Sequence, residues 1–535
     1  MTFLASSARP RRSVLTGVVL SVALGLAAPA HANSSAFTQS LASSASADDV
    51  IASWYRETGY APLWTRADQA ERRAALFEAI SSASLHGLPV QRYDANALMA
   101  AFRAAETEAD RGQIEVAMTR AYLAWAHDLG SGALKPKSVD PTIVREIAET
   151  DPKLLLSRLA LGEPRAVMAS LLPKSTVYVQ LMKAKLQLEQ GIAAGGWGGE
   201  VPLKALGPDA SGPDVVLLRD RLVRMGYLAP SSSQVFDRAM QAAVQQFQLD
   251  HGLTPDGTAS LGTIGEINVA PQARLKSVIV AMERERWMDI DRSVRHIWVN
   301  QPDFTAKIID HGKTVFETRV VIGKNVPDQR SPEFSDEMEH LVINPSWGVP
   351  RSIAVKEYLP LLQRNPNAVG HLQVVDRRGR VVPRGAVNFA AYTAKSFPFA
   401  LRQPPSDGNA LGKVKFMFPN AYNIYLHDTP SKSLFAEEVR AYSHGCIRVA
   451  DPFDLAHALL SVQSTAAEEE FERDLKTGRE TTVKFLKSVP VHLVYFTAYP
   501  TAKGRIAYRR DIYGRDEALY RALSEAGVVL GGVQG

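Results

Sequence analysis

The residue of this sequence best suited to covalent chemistry is its single cysteine, Cys446, in the segment YSHGCIRV at 442–449. One thiol cannot close a disulfide within the chain, and it cannot form a cysteine-rich zinc site. It can act as a nucleophile when a neighbouring group helps it lose its proton. His444 lies two residues before the cysteine, and His427 lies further upstream at the end of a short apolar run. This arrangement predicts a nucleophile with a histidine base.

Two other interpretations use the same residues. A lone cysteine is commonly a small buried hydrophobic residue without reactivity. A metal site would draw on His427, Asp428, His444 and Cys446, but no HExxH or CxxC spacing supports it. Gly445 favours the catalytic interpretation, because a glycine beside the thiol lets a substrate approach closely. We therefore predict a catalytic cysteine and no bound metal.

The motifs SHGC at 443–446 and LHDTP at 426–430 resemble the active-site signature of the L,D-transpeptidases. The order of histidine before cysteine argues against the common cell-wall cysteine hydrolases, whose nucleophile precedes its histidine. The resemblance implies an enzyme that cross-links peptidoglycan through a cysteine acyl-enzyme, without a cofactor. It also implies that the partners are donor and acceptor stem peptides, and that carbapenems inhibit the enzyme.

The resemblance assigns roles to the residues around the thiol. Cys446 attacks a stem-peptide carbonyl at the third residue, D-Ala leaves, and the side-chain amine of a second stem forms a 3→3 cross-link. His427 is expected to take the thiol proton, although His444 remains an alternative base or an orienting group. The backbone N–H groups of Gly445 and Cys446 are expected to stabilise the oxyanion.

Further residues are expected to contact the substrate or shape the site. In a strand, Arg448 shares a face with Cys446 and either meets a substrate carboxylate or forms an ordinary ion pair. Ser443 either hydrogen-bonds within the site or caps a turn. The segment NPSWGVP at 344–350 resembles a family segment beside the groove. Asn344 and Trp347 are therefore candidate substrate contacts, although a tryptophan often belongs to the core.

The N-terminus predicts export. Three arginines precede an apolar run at 14–28 and a small-x-small site, AHA, at 30–32. This pattern is typical of a cleaved signal peptide at 1–32, either general or twin-arginine, and the run is short for a membrane span. We expect a periplasmic, wall-associated protein without a stable membrane span. The net charge of +5 includes three arginines and no acid from residues 1–32, so the remainder carries +2, which gives no case for nucleic-acid binding.

Composition and periodicity divide the chain into a multidomain α+β protein. The predicted order is a helical scaffold domain, a three-helix peptidoglycan-binding module, a connecting helix, a mostly β catalytic domain with an inserted lid, and a C-terminal extension without an assignable motif. The corresponding ranges are 33–194, 200–270, 271–292, 293–500 with the lid at about 358–412, and 501–535.

The module and the lid each have an alternative interpretation. Helical spacing across 214–267, with the turn GLTPDG at 252–257, resembles a peptidoglycan-binding module, but a helical bundle that acts only as a spacer would show the same pattern. The stretch 358–412 is long and polar, which is typical of a lid or of a surface excursion without a catalytic role.

The same acyl-enzyme supports other outcomes. With water or another amine as the acceptor, the enzyme would be an L,D-carboxypeptidase, an endopeptidase, or a catalyst that attaches protein to the wall. A non-catalytic wall-binding scaffold with an inert Cys446 is the alternative from a different class. The sequence does not fix the acceptor or the oligomeric state.

Overall fold

The computed structural model describes residues 35–288 and 290–531. The predicted signal peptide at 1–32 lies outside the described residues. Within them, no helix is both long and apolar enough to span a membrane. The described chain is multidomain α+β, with helices first and a mostly β region after them.

The N-terminal region contains ten α-helices, of which all but α7 and α10 contribute to one apolar core. Their ranges are α1 Ala36–Ala45, α2 Asp49–Glu57, α3 Ala70–Ser81, α4 Val90–Tyr93, α5 Ala95–Ala104, α6 Glu108–Ser131, α7 Pro136–Val139, α8 Pro152–Leu161, α9 Pro164–Ser170 and α10 Thr176–Ala193. The buried carboxylate of Glu115 on α6 accepts hydrogen bonds from the backbone of Trp64 and Thr65 and from the Tyr55 hydroxyl. Because a buried carboxylate needs such partners, this contact fixes the loop around Trp64 on α6.

Three helices form the small domain that follows: α11 Pro213–Arg224, α12 Arg238–Asp250 and α13 Leu261–Ile267. Their apolar faces meet in a separate core. The buried Gln248 side chain donates to Asp256 and to the Thr258 carbonyl, and accepts from the Gly257 N–H. The side-chain amide of Gln248 thus fixes the turn after α12. The connecting helix α14, Pro271–Arg286, follows this domain.

Nine strands form the central sheet: β1 His296–Asn300, β2 Thr305–Asp310, β3 Lys313–Gly323, β4 Phe334–Ile343, β9 Val414–Met417, β10 Leu426–His427, β11 Ala441–Ser443, β12 Ile447–Val449 and β13 Thr481–Val494. Their order is β11-β3-β12-β10-β9-β4-β13-β1-β2, and β2 also pairs with β3. The pairings therefore close on themselves around a buried apolar core, against which α17 (Pro452–Leu460) and α18 (Ala467–Lys476) pack.

The polar stretch expected to be a lid has its own fold. A second sheet has the order β5-β8-β6-β7, from β5 Trp347–Gly348, β6 Gln373–Val375, β7 Val381–Val382 and β8 Ala400–Gln403. Helices α15 Arg351–Ile353 and α16 Leu359–Arg364 flank a π-helical turn at Ala354–Tyr358. These elements enclose a separate apolar core, so the insert begins before residue 358, at β5.

Residues 501–531 are packed into the fold, whereas the sequence predicted a separate extension over 501–535. A hairpin of β14 Ala498–Pro500 and β15 Ile506–Tyr508 precedes α19 Arg515–Glu525, which packs on α14. The buried guanidinium of Arg515 contacts Asp140 and Glu333, and donates to the Ser331 carbonyl. This residue, to which the sequence assigns no motif, ties the scaffold region to the central sheet.

Candidate active site

Cys446 lies in a tight turn between β11 and β12. The Ser443 hydroxyl donates to the Cys446 carbonyl and accepts from the Gly445 N–H, and the Ser331 hydroxyl donates to the Gly445 carbonyl at 2.6 Å. Gly445 has a φ of +112°, a conformation that a residue with a side chain rarely adopts. The SHGC motif therefore determines the conformation of the turn that carries the thiol, and Ser443 is a buried residue that stabilises this turn.

Strand alternation places the chemistry on one face of the sheet. β10 runs parallel to β12, with Leu426 paired to Ile447, while β9 runs antiparallel to β10, with Phe416 paired to Leu426. These three side chains are fully buried in the central core. Because successive side chains in a strand point to opposite faces, their neighbours lie on the other face. That catalytic face carries Lys415, Tyr425, His427, Cys446 and Arg448.

His427 is held as a neutral base. Its ring is buried, and Nδ1 lies 2.5 Å from the Asp428 carbonyl oxygen. Because a carbonyl only accepts hydrogen bonds, Nδ1 carries the proton and Nε2 presents a free lone pair. Burial lowers the pKa of His427 to about 3, and the positive charges of Arg448 and Lys415 add to the shift. The imidazole is therefore uncharged at neutral pH.

The thiol is also neutral in the resting site. Burial raises the pKa of Cys446, whereas hydrogen bonds from Tyr425 and the charges of Lys415 and Arg448 oppose the shift. The Cys446 Sγ lies 3.5 Å from the Asn423 carbonyl oxygen, and the Lys415 Nζ lies 4.0 Å from the centre of the Tyr425 ring. The arrangement thus contains a protonated thiol, a neutral imidazole and two cations that favour the thiolate once it forms.

His444 faces a different part of the molecule. Its Nε2 lies 2.8 Å from a carboxylate oxygen of Glu357, in the π-helical turn of the insert, and its side chain is 30% exposed. Lys356, in the same turn, pairs with Asp328 at 2.5 Å. A hydrogen bond from His444 and an ion pair from Lys356 therefore connect the insert to the loops around the thiol.

Arg448 is half-buried and forms no ion pair with any carboxylate among the described residues. Its Nε is buried without a hydrogen-bond partner in the same part of the chain. A buried N–H without an acceptor costs free energy unless a ligand supplies that acceptor. The Arg448 side chain is therefore available to an acceptor outside the protein.

The structure separates the two residues of the NPSWGVP segment. Trp347 belongs to the core of the insert and packs edge-on against Tyr358 at 6.3 Å. Tyr425 packs against the same core, so Trp347 lies on the side of the insert that meets the catalytic face. The Asn344 amide donates to the carbonyls of Asp474 and Leu475 in the last turn of α18, and to that of Arg479 in the loop after it. The expectation that Asn344 contacts the substrate is therefore corrected: it is buried and its donors are used within the protein.

Two residues of the catalytic face were not anticipated. Tyr425 lies two positions before His427, so strand alternation could have placed it on the same face. Lys415 pairs opposite His427 across β9 and β10, a contact that no local pattern reveals.

The ligand set of the metal alternative does not assemble. Within 35–288 and 290–531, no three His, Cys, Asp or Glu side chains are grouped as a metal site requires. The Asp428 carboxylate accepts from Lys432, from the Thr429 N–H and from the Lys413 N–H. Its oxygens are thus occupied by protein donors.

Comparison with known families agrees with this geometry. Residues 49–184 match the Scaffold domain, residues 211–266 match a putative peptidoglycan binding domain, and residues 294–483 match the L,D-transpeptidase catalytic domain. Residues 294–483 therefore form an L,D-transpeptidase catalytic domain. The three domains occur in the order that the sequence predicts, and the match covers the strands that carry Cys446 and His427.

One curated relative, a putative L,D-transpeptidase of Haemophilus influenzae, is 32% identical over 242 residues. The match covers 45% of this chain and 48% of the relative, so the chain spans about half of the relative's length.

Two crystal structures are more distant. An L,D-transpeptidase fragment from Xylanimonas cellulosilytica is 13% identical, with 56% of this chain and 98% of that chain covered and a TM-score of 0.17. A fused Zn-dependent amidase/peptidase/peptidoglycan-binding domain-containing protein from Clostridium acetobutylicum is 13% identical, with 54% and 99% covered and a TM-score of 0.15. The family assignment rests on the domain matches.

Proposed function

We propose that this L,D-transpeptidase forms 3→3 cross-links between peptidoglycan stem peptides through a thioester on Cys446. The observation that carries the proposal is the catalytic face, where a thiol, a neutral histidine and two cations without carboxylate partners share adjacent strands. The domain matches support peptidoglycan as the polymer. Cysteine dependence is our inference from this geometry, and the position of the cross-link is what the resemblance to the family implies.

The reaction begins with acylation. His427 Nε2 takes the thiol proton as Cys446 Sγ bonds to the carbonyl carbon of the third stem residue. The C–N bond to D-Ala then breaks, and the imidazolium returns the proton to the leaving amine. In the second half, the side-chain amine of another stem attacks the thioester, a C–N bond forms, and the C–S bond breaks. The proton of the acceptor amine returns through His427 to the thiolate.

The backbone N–H of Cys446 is the group best placed to stabilise the oxyanion. The Gly445 N–H is already bonded to the Ser443 hydroxyl at 3.2 Å. In the described part of the chain, no acceptor is found for the Cys446 N–H. A free N–H adjacent to the nucleophile can stabilise the developing negative charge. We therefore assign this role to Cys446 and give Gly445 the role of shaping the turn.

We propose His427 as the base and give His444 a positioning role at the insert. Only His427 combines a fixed Nδ1 proton with a place on the strand beside the thiol. Arg448 is proposed to bind the carboxylate of the donor stem, with Lys415 beside it. Trp347 and Tyr425 would form the wall of the groove where the insert meets the sheet.

We propose that residues 1–32 direct export to the periplasm, that the domain at 200–270 retains the enzyme at the wall, and that the insert acts as a lid. The export proposal is tested by the mass of the protein recovered from a periplasmic extract. Loss of residues 1–32 is expected, and retention of the full N-terminus would contradict it.

The function is tested by incubating the protein with purified disaccharide-tetrapeptide and sequencing the products by tandem mass spectrometry. We expect dimers joined between the third residues of two stems, with D-Ala released, and no product from Cys446→Ala. Tripeptide without dimer would show that water is the acceptor, which is the carboxypeptidase alternative. No product at all from the wild-type protein would contradict the proposal.

A further inference from the structure

A solvent-open cavity of about 720 Å³ lies apart from the catalytic face and is formed by three regions of the chain. Its walls come from α10, from the glycine-rich linker after it, from the ends of α11 and α12, and from the β14–β15 hairpin. None of the five catalytic-face side chains lines it. Its volume lies within the range of roughly 300–1,000 Å³ that is typical of ligand sites.

The charged side chains that line this cavity are all basic. No Asp or Glu is among the lining residues, although the sequence has nearly as many acidic as basic residues, 56 and 61. The cations are Lys183, Arg224 and Arg505. Lys183 and Arg224 are exposed and form no ion pair within the described ranges. The cavity therefore has donors and positive charge available for an anionic ligand.

Aromatic rings also line the cavity. Trp197 stands half-buried in the glycine-rich linker, and Tyr227 ends the turn after α11. The Arg505 guanidinium lies 4.6 Å from the centre of the Tyr227 ring and donates to the Gly226 carbonyl at 3.0 Å. This arginine is thus held in place at the rim. Rings beside fixed cations suit a ligand that is both acidic and partly apolar.

We propose that this composite cavity binds a carboxylate-bearing stem peptide of the wall polymer. The inference rests on the proposed function, because that function supplies the polymer. Its consequence is that the small helical domain does not bind the wall alone, because the scaffold region and the β14–β15 hairpin complete the site. A peptidoglycan chain that is bound in the cavity stays at high effective concentration near the thiol.

The test measures binding of the full chain carrying Cys446→Ala to purified sacculi, in a pelleting titration. The test variant adds Lys183→Glu and Arg224→Glu. The matched control adds Lys137→Glu and Arg238→Glu, which change the net charge equally at two exposed positions outside the cavity. We expect the test variant to bind about tenfold more weakly or worse than the control, the size expected for two lost charge-assisted contacts.

A second probe identifies the part of the polymer that is bound. Sacculi stripped of stem peptides by an amidase should bind the test variant and the control equally weakly. Equal binding of both variants to intact sacculi would overturn the proposal, and so would undiminished binding of the control to stripped sacculi, which would indicate a glycan ligand.

Carbapenem acylation, measured with Cys446 restored, separates this proposal from the proposed function. The Lys183→Glu, Arg224→Glu protein should be acylated at the wild-type rate, which also shows that it is folded. Absence of acylation in the wild-type protein would count against the enzyme proposal, independently of the binding result.

Discussion

Two clusters of charge in this molecule, one buried and one half-buried, are built in opposite ways. Between the scaffold region and the sheet, the Arg284 guanidinium contacts Glu333 at 2.5 Å and Asp516 at 3.1 Å, and Arg515 shares Glu333. On the catalytic face, Arg448 and Lys415 form no ion pair within the described residues. The first cluster has its carboxylates within the protein and is therefore complete in its ion pairs. The second is incomplete, because its two half-buried cations have no carboxylate partner within the described residues and can bind an external anion.

The complete cluster should dominate stability. Glu333→Gln leaves two buried arginines without their shared carboxylate, and breaking such a pair costs about 3–5 kcal/mol. We expect a clear decrease in the urea midpoint, followed by circular dichroism. Arg448→Met is the matched comparison and should leave the midpoint unchanged or raised, since its charge has no carboxylate partner to lose. Equal destabilisation by the two changes would remove the distinction between the clusters.

The incomplete cluster should dominate activity. Arg448→Met removes the cation proposed to meet the substrate carboxylate, and one charge-assisted hydrogen bond is worth about 1.5–3 kcal/mol. We therefore expect kcat/KM for the tetrapeptide donor to fall roughly 10- to 100-fold. Arg448→Lys should recover part of the loss, because it keeps the charge but not the planar fork. An unchanged kcat/KM for Arg448→Met would contradict the assignment.

The pH dependence should reflect the neutral thiol and imidazole. His427 has a pKa of about 3 in the fold, so it stays unprotonated and able to act as a base from about pH 5 upward. The acylation rate should therefore show no acid limb near the ordinary histidine pKa of about 6.5. Iodoacetamide labelling of Cys446 should keep rising beyond about pH 8.5, because burial raises the thiol pKa. A labelling plateau near pH 6 would indicate a preformed thiolate–imidazolium pair instead.

The same histidine links stability to pH. Its folded pKa lies below its unfolded value, so between about pH 6.5 and pH 3 the unfolded chain binds the extra proton. Stability should therefore rise with pH across that window. His427→Gln, compared with wild type by thermal unfolding, should have a shallower dependence there. A slope that His427→Gln leaves unchanged would show that this ring is not buried as a neutral group.

The smallest effect is expected at the insert. The Glu357–His444 pair is partly exposed, and such pairs contribute about 0–1 kcal/mol. Glu357→Gln should leave the unfolding midpoint unchanged, but it should increase amide hydrogen exchange across the π-helical turn at 354–358. Lys356→Gln, which breaks the neighbouring pair with Asp328, is the comparison. Unchanged exchange in both variants would show that neither pair holds the insert.

The sequence predicted those features that depend on local patterns. The domain order followed from helical spacing and from period-two strands, and the SHGC turn requires Gly445 at a positive φ. The contacts missed are those made between distant segments. Lys415 reaches the face through strand pairing, and Arg515 reaches Asp140 across most of the chain. The sequence did not predict the apolar core of the insert, because its short strands are embedded in a stretch of mostly polar residues.

The measurement that tests the central claim most directly is intact mass spectrometry after timed incubation with a carbapenem. Wild type should gain one adduct, mapped to Cys446 by digestion, and Cys446→Ala should gain none. His427→Gln should be acylated about 10²–10⁴-fold more slowly, the usual contribution of a general base. His444→Gln should stay within a few-fold of wild type. Loss of the adduct in His444→Gln with a normal rate in His427→Gln would contradict the account.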